Sequence, residues 1–407
     1  MKRLLNVPLL AMALSATLVA GASPSFAQSS DYQFEFGGEI GVEGRWFPED
    51  PLYTDQLDGV QGSLFAEPEL RWNDEARTNQ ILFSPFLRID ARDSERSHFD
   101  LREGYWRHVE DDWDLLFGVS QVFWGVAESR HLVNVVNQID AVEDVDEEDF
   151  LGQPMLQIGR QTDAGRFDLF LMTGFRERTF SGPDGRLRAP IPVDTDAARY
   201  ESDLEEWRPD LALRYSHYVG DIDVGVHLFQ GTGREPDLVP AADGLSLIPE
   251  YSVINQAGID LQYTTDAWLW KLESIVREGQ GDTFVAAVAG FEYTIFQVRE
   301  SDADLGLIME GLYDGRDDDS FPTLFNQDVF TGARLAFNDV QSTEFLAGLV
   351  TDVDDGPTSL RLEAQRRLGD GWKIEFEAQA FFEDDPTSTA AAFQNDSFIT
   401  ARLSLFF

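Results

Sequence analysis

The stretch QFEFGGEIGVEGRW, residues 33–46, has all its charged and amide residues at odd positions, with glycine at the remaining odd positions. The large apolar side chains fall at even positions, namely Phe34, Phe36, Ile40, Val42 and Trp46. Successive side chains of a β-strand point to opposite faces. The alternation therefore predicts one strand with an apolar face and a polar face, long enough to cross a bilayer at a tilt.

The same alternation recurs along the chain and predicts about 18 antiparallel strands. They start near residues 32, 63, 79, 98, 113, 154, 166, 207, 221, 254, 267, 283, 304, 327, 343, 358, 372 and 397. An even number is required if both ends of a bacterial barrel lie on the same side of the membrane, and one hairpin fewer would give 16. The predicted fold class is all-β: a transmembrane antiparallel up-and-down β-barrel of residues 28–407.

The lengths of the connections give a second test of this prediction. Connections after even strands are short, such as 110–112 and 369–371. The long ones follow odd strands: 48–62, 125–153, 180–206, 234–253, 314–326 and 383–396. Outer-membrane barrels have short periplasmic turns and longer external loops, whereas a soluble β-sandwich has no reason to separate them. The pattern predicts the outer membrane of a Gram-negative cell, with the last strand and Phe407 as the signal for the barrel assembly machinery.

The first residues have the features of a secretory signal peptide. Lys2 and Arg3 precede a mostly apolar stretch, residues 4–20, and Ser25-Phe26-Ala27 offers small residues at a cleavage site. We therefore predict a signal peptide over residues 1–27, with a membrane anchor as the alternative. No later stretch of 18 apolar residues occurs.

The composition excludes several classes of function. The chain has 31 Lys and Arg against 74 Asp and Glu, a net charge of −43, which repels nucleic acid. Acidic loops would keep a barrel soluble during export, and divalent ions bound to them could also bridge to lipopolysaccharide. Cysteine is absent, and the five histidines lack the spacing of a metal site. We predict no cofactor, no metal and no catalytic residues.

If the apolar faces meet lipid, the polar faces line the interior. The predicted pore-lining residues are Arg45, Arg71, Arg88, Asp90, Arg92, Arg102, Arg176, Arg178, Glu363, Arg367, Glu375 and Arg402. Opposed rows of charge set the ion preference of a pore. Arg–carboxylate pairs between neighbouring strands would equally serve to hold these side chains in place.

Three places fit the alternation badly. Glu103 and Arg107 fall on the apolar face of the fourth strand, which a β-bulge would correct. Arg366 also falls on an apolar face, close enough to a strand end to reach water. Residues 283–296 are apolar on both faces, so their register is left open.

The segment 125–153 is too apolar for a freely solvated loop. It carries several valines and leucines and closes with an acidic run, residues 143–149. A loop folded into the lumen as a constriction would pack its apolar side against the barrel wall. An exterior hairpin or a short surface helix is the alternative.

Around this loop the sequence has Gly118, Gln121, Trp124 and Gly125 at a strand end, then Asn134, Asn137 and Asp140 in an N-x-x-N-x-x-D loop, and Phe150-Leu-Gly-Gln-Pro154. With these residues it resembles a poorly characterised family of proteobacterial porin-like proteins. Ser120 departs from it, because a basic residue is expected there. The resemblance implies an outer-membrane channel in which Trp124, Gly125, Asn134, Asn137 and Asp140 belong to the constriction loop.

The function predicted from the sequence is a porin-like channel for passive diffusion of small hydrophilic solutes or ions. Its expected partners are outer-membrane lipids, lipopolysaccharide and small solutes, and homo-oligomerisation is left open. One alternative is a closed barrel acting as a surface adhesin or receptor. Another is an outer-membrane hydrolase that would pair His98 with Asp100.

Overall fold

A computed structural model describes residues 32–316, 327–353, 356–382 and 389–407. The predicted signal peptide, residues 1–27, lies outside the described residues. Within the described ranges, no helix has both the length and the apolar character needed to cross a bilayer.

The structure is almost entirely β. Its strands are β1 (Tyr32–Trp46), β2 (Val60–Asp74), β3 (Asn79–Asp90), β4 (Phe99–Val109), β5 (Trp113–Ser120), β6 (Gln153–Thr162), β7 (Gly165–Met172), β8 (Arg199–Tyr200), β9 (Asp210–Val219), β10 (Ile222–Thr232), β11 (Asp237–Pro240), β12 (Leu247–Tyr251), β13 (Val253–Thr265), β14 (Trp268–Glu278), β15 (Phe284–Ile295), β16 (Asp304–Asp314), β17 (Gln327–Ala336), β18 (Glu344–Asp352), β19 (Gly356–Leu368), β20 (Trp372–Phe381) and β21 (Phe398–Phe406). Short 3₁₀ turns cover Thr195–Ala197, Glu205–Trp207, Val298–Glu300 and Thr389–Phe393.

Eighteen of these strands form one sheet, and β8, β11 and β12 form a small separate sheet in the loops. Each barrel strand pairs antiparallel with the next, and β1 pairs with β21 from Glu39↔Phe406 to Trp46↔Ile399. The predicted up-and-down barrel of 18 strands is therefore confirmed. Closure leaves no unpaired sheet edge, which a bilayer requires. At the seam the Phe407 N–H donates to the Gly38 carbonyl at 3.1 Å.

The two ends of the barrel differ as predicted. One end, the turn end, has connections such as 110–112, 163–164, 220–221 and 369–371. The other end, the loop end, has the long connections 47–59, 121–152, 173–209, 233–252 and 382–397.

The outer face carries an apolar belt. Exposed side chains on it include Phe34, Ile40, Val42, Leu64, Ile89, Phe117, Leu228, Val276, Met309, Phe376 and Ile399. Exposed tryptophans near strand ends are Trp46, Trp106, Trp113, Trp268, Trp270 and Trp372. Such rings are typical of the membrane interface, where their apolar and polar parts meet matching surroundings. A closed barrel with this exterior spans a membrane.

A β-bulge in β4 explains the misfit of Glu103 and Arg107. The pairing with β3 runs through Ser84↔Glu103 and then shifts to Pro85↔Leu101. After the bulge Arg107 points inward and binds Asp114 at 3.2 Å. Arg366 stays on the outer face, as the alternation predicts, and its Nη1 donates to the Thr343 hydroxyl at 2.7 Å near the turn end.

Gly118 in β5 faces the bulge, with φ +143°. A Cβ there would lie 2.3 Å from the Gly104 carbonyl oxygen and 2.6 Å from the Tyr105 Cα, both backbone atoms. We expect Gly118→Ala to lower the free energy of unfolding by more than about 1 kcal/mol, because alanine at this φ is strained and the strands must separate. The urea midpoint of the detergent-refolded barrel measures it. Gly44→Ala is the matched control, since no atom lies within 4 Å of its Cβ position, and an equal loss there would contradict the steric explanation.

Candidate functional site

Residues 121–152, the crossing loop, connect β5 to β6 through the interior of the barrel. The backbone N–H groups of Val126, Ala127 and Val133 donate to the Glu273 carboxylate on β14 at 2.6–3.2 Å. Those of Glu128 and Ser129 donate to Glu310 on β16 at 2.9–3.1 Å. Because β16 lies eight strand pairings from β5, the loop reaches nearly the opposite wall.

The apolar limb of the crossing loop, residues 122–136, builds a hydrophobic core against one wall. Val133, Val135 and Val136 are at most 2% exposed. They belong to a cluster with inward side chains of the wall: Leu116, Met155, Phe170, Met172, Ala212, Phe229, Ile254, Ile275, Phe284, Ala286, Val288, Ile308, Leu312 and Phe330. This packing accounts for residues 283–296, which are apolar on both faces because one face meets lipid and the other meets the loop.

The acidic limb, residues 140–149, is held by arginines of the opposite wall and of the loop that follows β7. The pairs are Asp144 with Arg45 at 3.2 Å, Asp146 with Arg361 at 2.7 Å, Asp149 with Arg102 at 3.2 Å, and Glu147 with Arg178 at 2.7 Å. The loop is thus fixed by packing on one side and by ion pairs on the other. In a barrel without a loop in its lumen, these arginines would lack their carboxylate partners on the loop.

A further group of ion pairs is more deeply buried and forms a network. Arg88 donates from Nε to Glu143 at 2.7 Å and lies 3.3 Å from Glu43 of β1. Arg96 lies 2.9 Å from Glu43, and Arg402 lies 2.9 Å from it on the other side. Cations and carboxylates therefore alternate through the space between β1, β3 and the crossing loop, which compensates their burial.

The two asparagines of the N-x-x-N segment close the crossing loop on itself. The Asn134 side-chain oxygen accepts the N–H groups of Trp124 and Gly125 at 2.7 and 3.0 Å. Asn137 accepts the Val122 N–H at 2.8 Å and donates to the Ser120 and Leu151 carbonyls, each at 2.9 Å. Each carboxamide satisfies backbone groups that the loop geometry leaves without sheet partners.

Trp124, Gly125 and Asp140 fix where the loop lies in the barrel. Trp124 is buried and points inward, with the Arg214 guanidinium 4.8 Å from its ring. A Cβ on Gly125 would lie 2.4 Å from the His131 ring. Asp140 accepts from the Thr179 hydroxyl at 2.8 Å and contacts His98 Nε2 at 3.1 Å.

His131 is a second ionic contact between the loop and β14. Its ring nitrogens lie 3.6 Å from Glu273 and 3.9 Å from Glu148. Burial alone would lower the pKa of His131, but the interactions with Glu148 and Glu273 outweigh it and raise the pKa to about 9. The imidazolium therefore adds positive charge beside Glu273 at neutral pH.

The predicted pore-lining residues that lie on strands occupy three different settings in the structure. Arg45, Arg88, Asp90 and Arg102 are buried against the loops. Arg71, Glu363, Glu375 and Arg402 point inward and retain solvent access, and Arg367 is exposed near the turn end.

Three of the predicted pore-lining residues are not on strands, where the alternation had placed them. Arg92 follows the last residue of β3 and is exposed in the connection to β4. Arg176 and Arg178 follow β7, and their loop folds back so that Arg176 binds Asp100 at 2.7 Å. The anchor Glu273 was missed, although its inward position in β14 is visible in the alternation.

His98 does not form the pair considered for a hydrolase. Its Nε2 contacts Asp140, whereas Asp100 binds Arg176. His98, Asp140 and Glu143 come together closely enough to hold a metal ion. However, Arg88 and Arg102 already pair with these carboxylates, and their positive charge opposes a cation there. We therefore assign neither catalysis nor a metal to this cluster.

A cavity of about 830 Å³ lies at the loop end, between the crossing loop and the inner face of β17–β20. Its floor includes Glu147 and Glu148 of the acidic limb, and Arg361, Glu363 and Gln379 of the wall. Its upper part is formed by the other loops: Tyr53, Phe180, Leu187, Leu238, Leu247 and Phe393. We call this cavity the vestibule.

No protein-family model matches the sequence, and no curated protein matches it. The fold is shared with solved structures at very low sequence identity. Wzi of Escherichia coli, described as a carbohydrate-binding outer-membrane β-barrel involved in group 1 capsule assembly, is 9% identical over 90% of this chain and 84% of its own, with a TM-score of 0.52. A BenF-like porin from Pseudomonas fluorescens is 10% identical, with coverage of 93% and 98% and a TM-score of 0.52.

OpdQ of Pseudomonas aeruginosa is 10% identical, with coverage of 92% and 98% and a TM-score of 0.51. At such identities the similarity establishes the fold alone. The narrower resemblance that rests on residues 118–154 stays a prediction. The closed barrel, its apolar belt and these neighbours together show that the chain has the fold of the porin-like outer-membrane β-barrels.

Proposed function

We propose that this protein is an outer-membrane channel for passive diffusion of small polar solutes or ions, with the crossing loop as its constriction. The observation that carries this is the attachment of residues 121–152 to opposite walls within the barrel. A loop held across a lumen narrows it without filling both ends. Charged side chains toward the turn end keep solvent access, with Arg71 at 46% and Glu69 at 38% exposed.

Single-channel recording of the refolded mature chain in a planar bilayer tests the proposal. We expect stepwise ohmic conductance and, under a salt gradient, a reversal potential of cation-selective sign, because the vestibule floor exposes carboxylates more than arginines. A folded, heat-modifiable barrel with no conductance would contradict the channel.

A closed barrel that acts as a surface receptor is the second candidate. The large apolar core inside the barrel favours this second candidate, because the core occupies much of the lumen along one wall. The carbohydrate binding described for Wzi makes a saccharide one ligand class for such a receptor. We propose neither catalysis nor a cofactor. Cleavage after Ala27, recognition of Phe407 by the assembly machinery, and contacts with lipopolysaccharide are further proposals.

A further inference from the structure

The vestibule is formed by parts of the chain that are far apart in sequence. Connections 47–59, 173–209 and 233–252 and residues 389–397 supply its upper part, and the crossing loop and barrel wall supply its floor. Its volume of about 830 Å³ falls within the range of sites for small organic molecules. Water or inorganic ions alone would not need so large an apolar lining.

The charges of the floor are unequally accessible. The carboxylates of Glu148, Glu363 and Glu147 are 60%, 40% and 38% exposed. Arg361 is the most exposed cationic side chain among the described lining residues, at 27%, and Arg178 is only 13% exposed. Arginines therefore lie behind the carboxylates, and a molecule in the vestibule meets negative charge first.

A buried amide points to a ligand independently of these charges. Gln379 of β20 lines the vestibule and is 8% exposed. Its side-chain oxygen makes no hydrogen bond to any described residue. Leaving such a buried acceptor unsatisfied costs about 1–3 kcal/mol, which an N–H donor from a bound molecule would recover.

We propose that the vestibule binds a small organic cation, an ammonium group on an apolar or aromatic body. The apolar body packs among Leu187, Leu238 and Leu247, and the rings of Phe180 and Phe393 line the vestibule where the cation enters. The ammonium group donates to Gln379 and lies near Glu363. This deepens the proposed channel function by naming a solute class, and it rests on that function for its role in transport.

Binding is measured by titration calorimetry on the detergent-refolded full mature chain with phenethylammonium, the neutral 2-phenylethanol and the anion 3-phenylpropionate. We expect the cation to bind at least about tenfold more tightly than either analogue. Equal or tighter binding of the anion would overturn the proposal. Each titration is corrected by a detergent blank, because all three probes partition into micelles.

Two variants locate the site. Glu363→Gln is expected to weaken phenethylammonium binding about tenfold and to leave 2-phenylethanol binding unchanged. Glu375→Gln is the control, because Glu375 is an inward carboxylate on β20 that pairs with Lys373 at 2.6 Å and does not line the vestibule. Equal loss in both variants, or loss in neither, would contradict the assignment.

Bilayer recordings separate this proposal from the channel itself. Conductance together with block by phenethylammonium supports both. Conductance without cation binding would contradict the proposed solute class and support the channel function. Cation binding by a barrel that never conducts removes the channel and supports a receptor for organic cations.

Discussion

The double variant Glu273→Ala/Glu310→Ala is expected to give larger and noisier single-channel conductance than the native chain. The two carboxylates accept five backbone N–H groups of the crossing loop, and Glu310 also accepts the Ser129 hydroxyl at 2.6 Å. A hydrogen bond to a charged group contributes about 1.5–3 kcal/mol. Loss of several should shift the loop from its seated toward released positions by roughly 100-fold or more.

Glu69→Ala is the matched control for this variant. Glu69 is also an inward carboxylate, but it pairs with Arg71 at 2.9 Å and, among the described residues, makes no ion pair or hydrogen bond to the crossing loop. Its conductance should stay near that of the native chain. If the double variant folds into a heat-modifiable barrel and conducts like the native chain, the crossing loop is not the constriction.

Arg88→Met is expected to destabilise the barrel strongly. Arg88 is 1% exposed and lies between Glu43 and Glu143, which are themselves buried. Methionine would leave the buried Glu143 without its arginine and Glu43 with Arg96 and Arg402 alone, at a cost of about 3–5 kcal/mol. The midpoint of urea unfolding in detergent, followed by tryptophan fluorescence, measures the loss.

Two further variants test that explanation. Arg71→Met should change stability by less than about 1 kcal/mol, because Arg71 is 46% exposed and its pairing with Glu69 is screened by water. Arg88→Met/Glu143→Leu should recover part of the loss, since it removes one of the uncompensated carboxylates. A double variant no more stable than Arg88→Met would show that packing, and not charge, is what Arg88 supplies.

The pore-lining residues that we predicted on strands but that lie in loops all follow closely after a strand end. The alternation continues past Asp90 through Arg92, but β3 ends at Asp90 because Asp90 accepts the N–H groups of Arg92 and Asp93 and turns the chain. Arg178 keeps the parity of β7, yet it lies on a loop held by Glu147. A period of two identifies neither the local turn that Asp90 closes nor the distant partner of Arg178.

The sequence by itself determined the barrel: its 18 strands, the separation of short turns from long loops, and the bulge that Glu103 and Arg107 required. These features are local, because neighbouring residues produce both the period of two and the turn signals. Closure then follows from backbone pairing between the strands. Only the tertiary structure decided what fills the barrel. It decided that Arg88 binds Glu143 instead of lining a pore, and that four loops enclose a vestibule. Both depend on contacts between residues far apart in sequence, whose partners are selected by shape and charge once the barrel has closed.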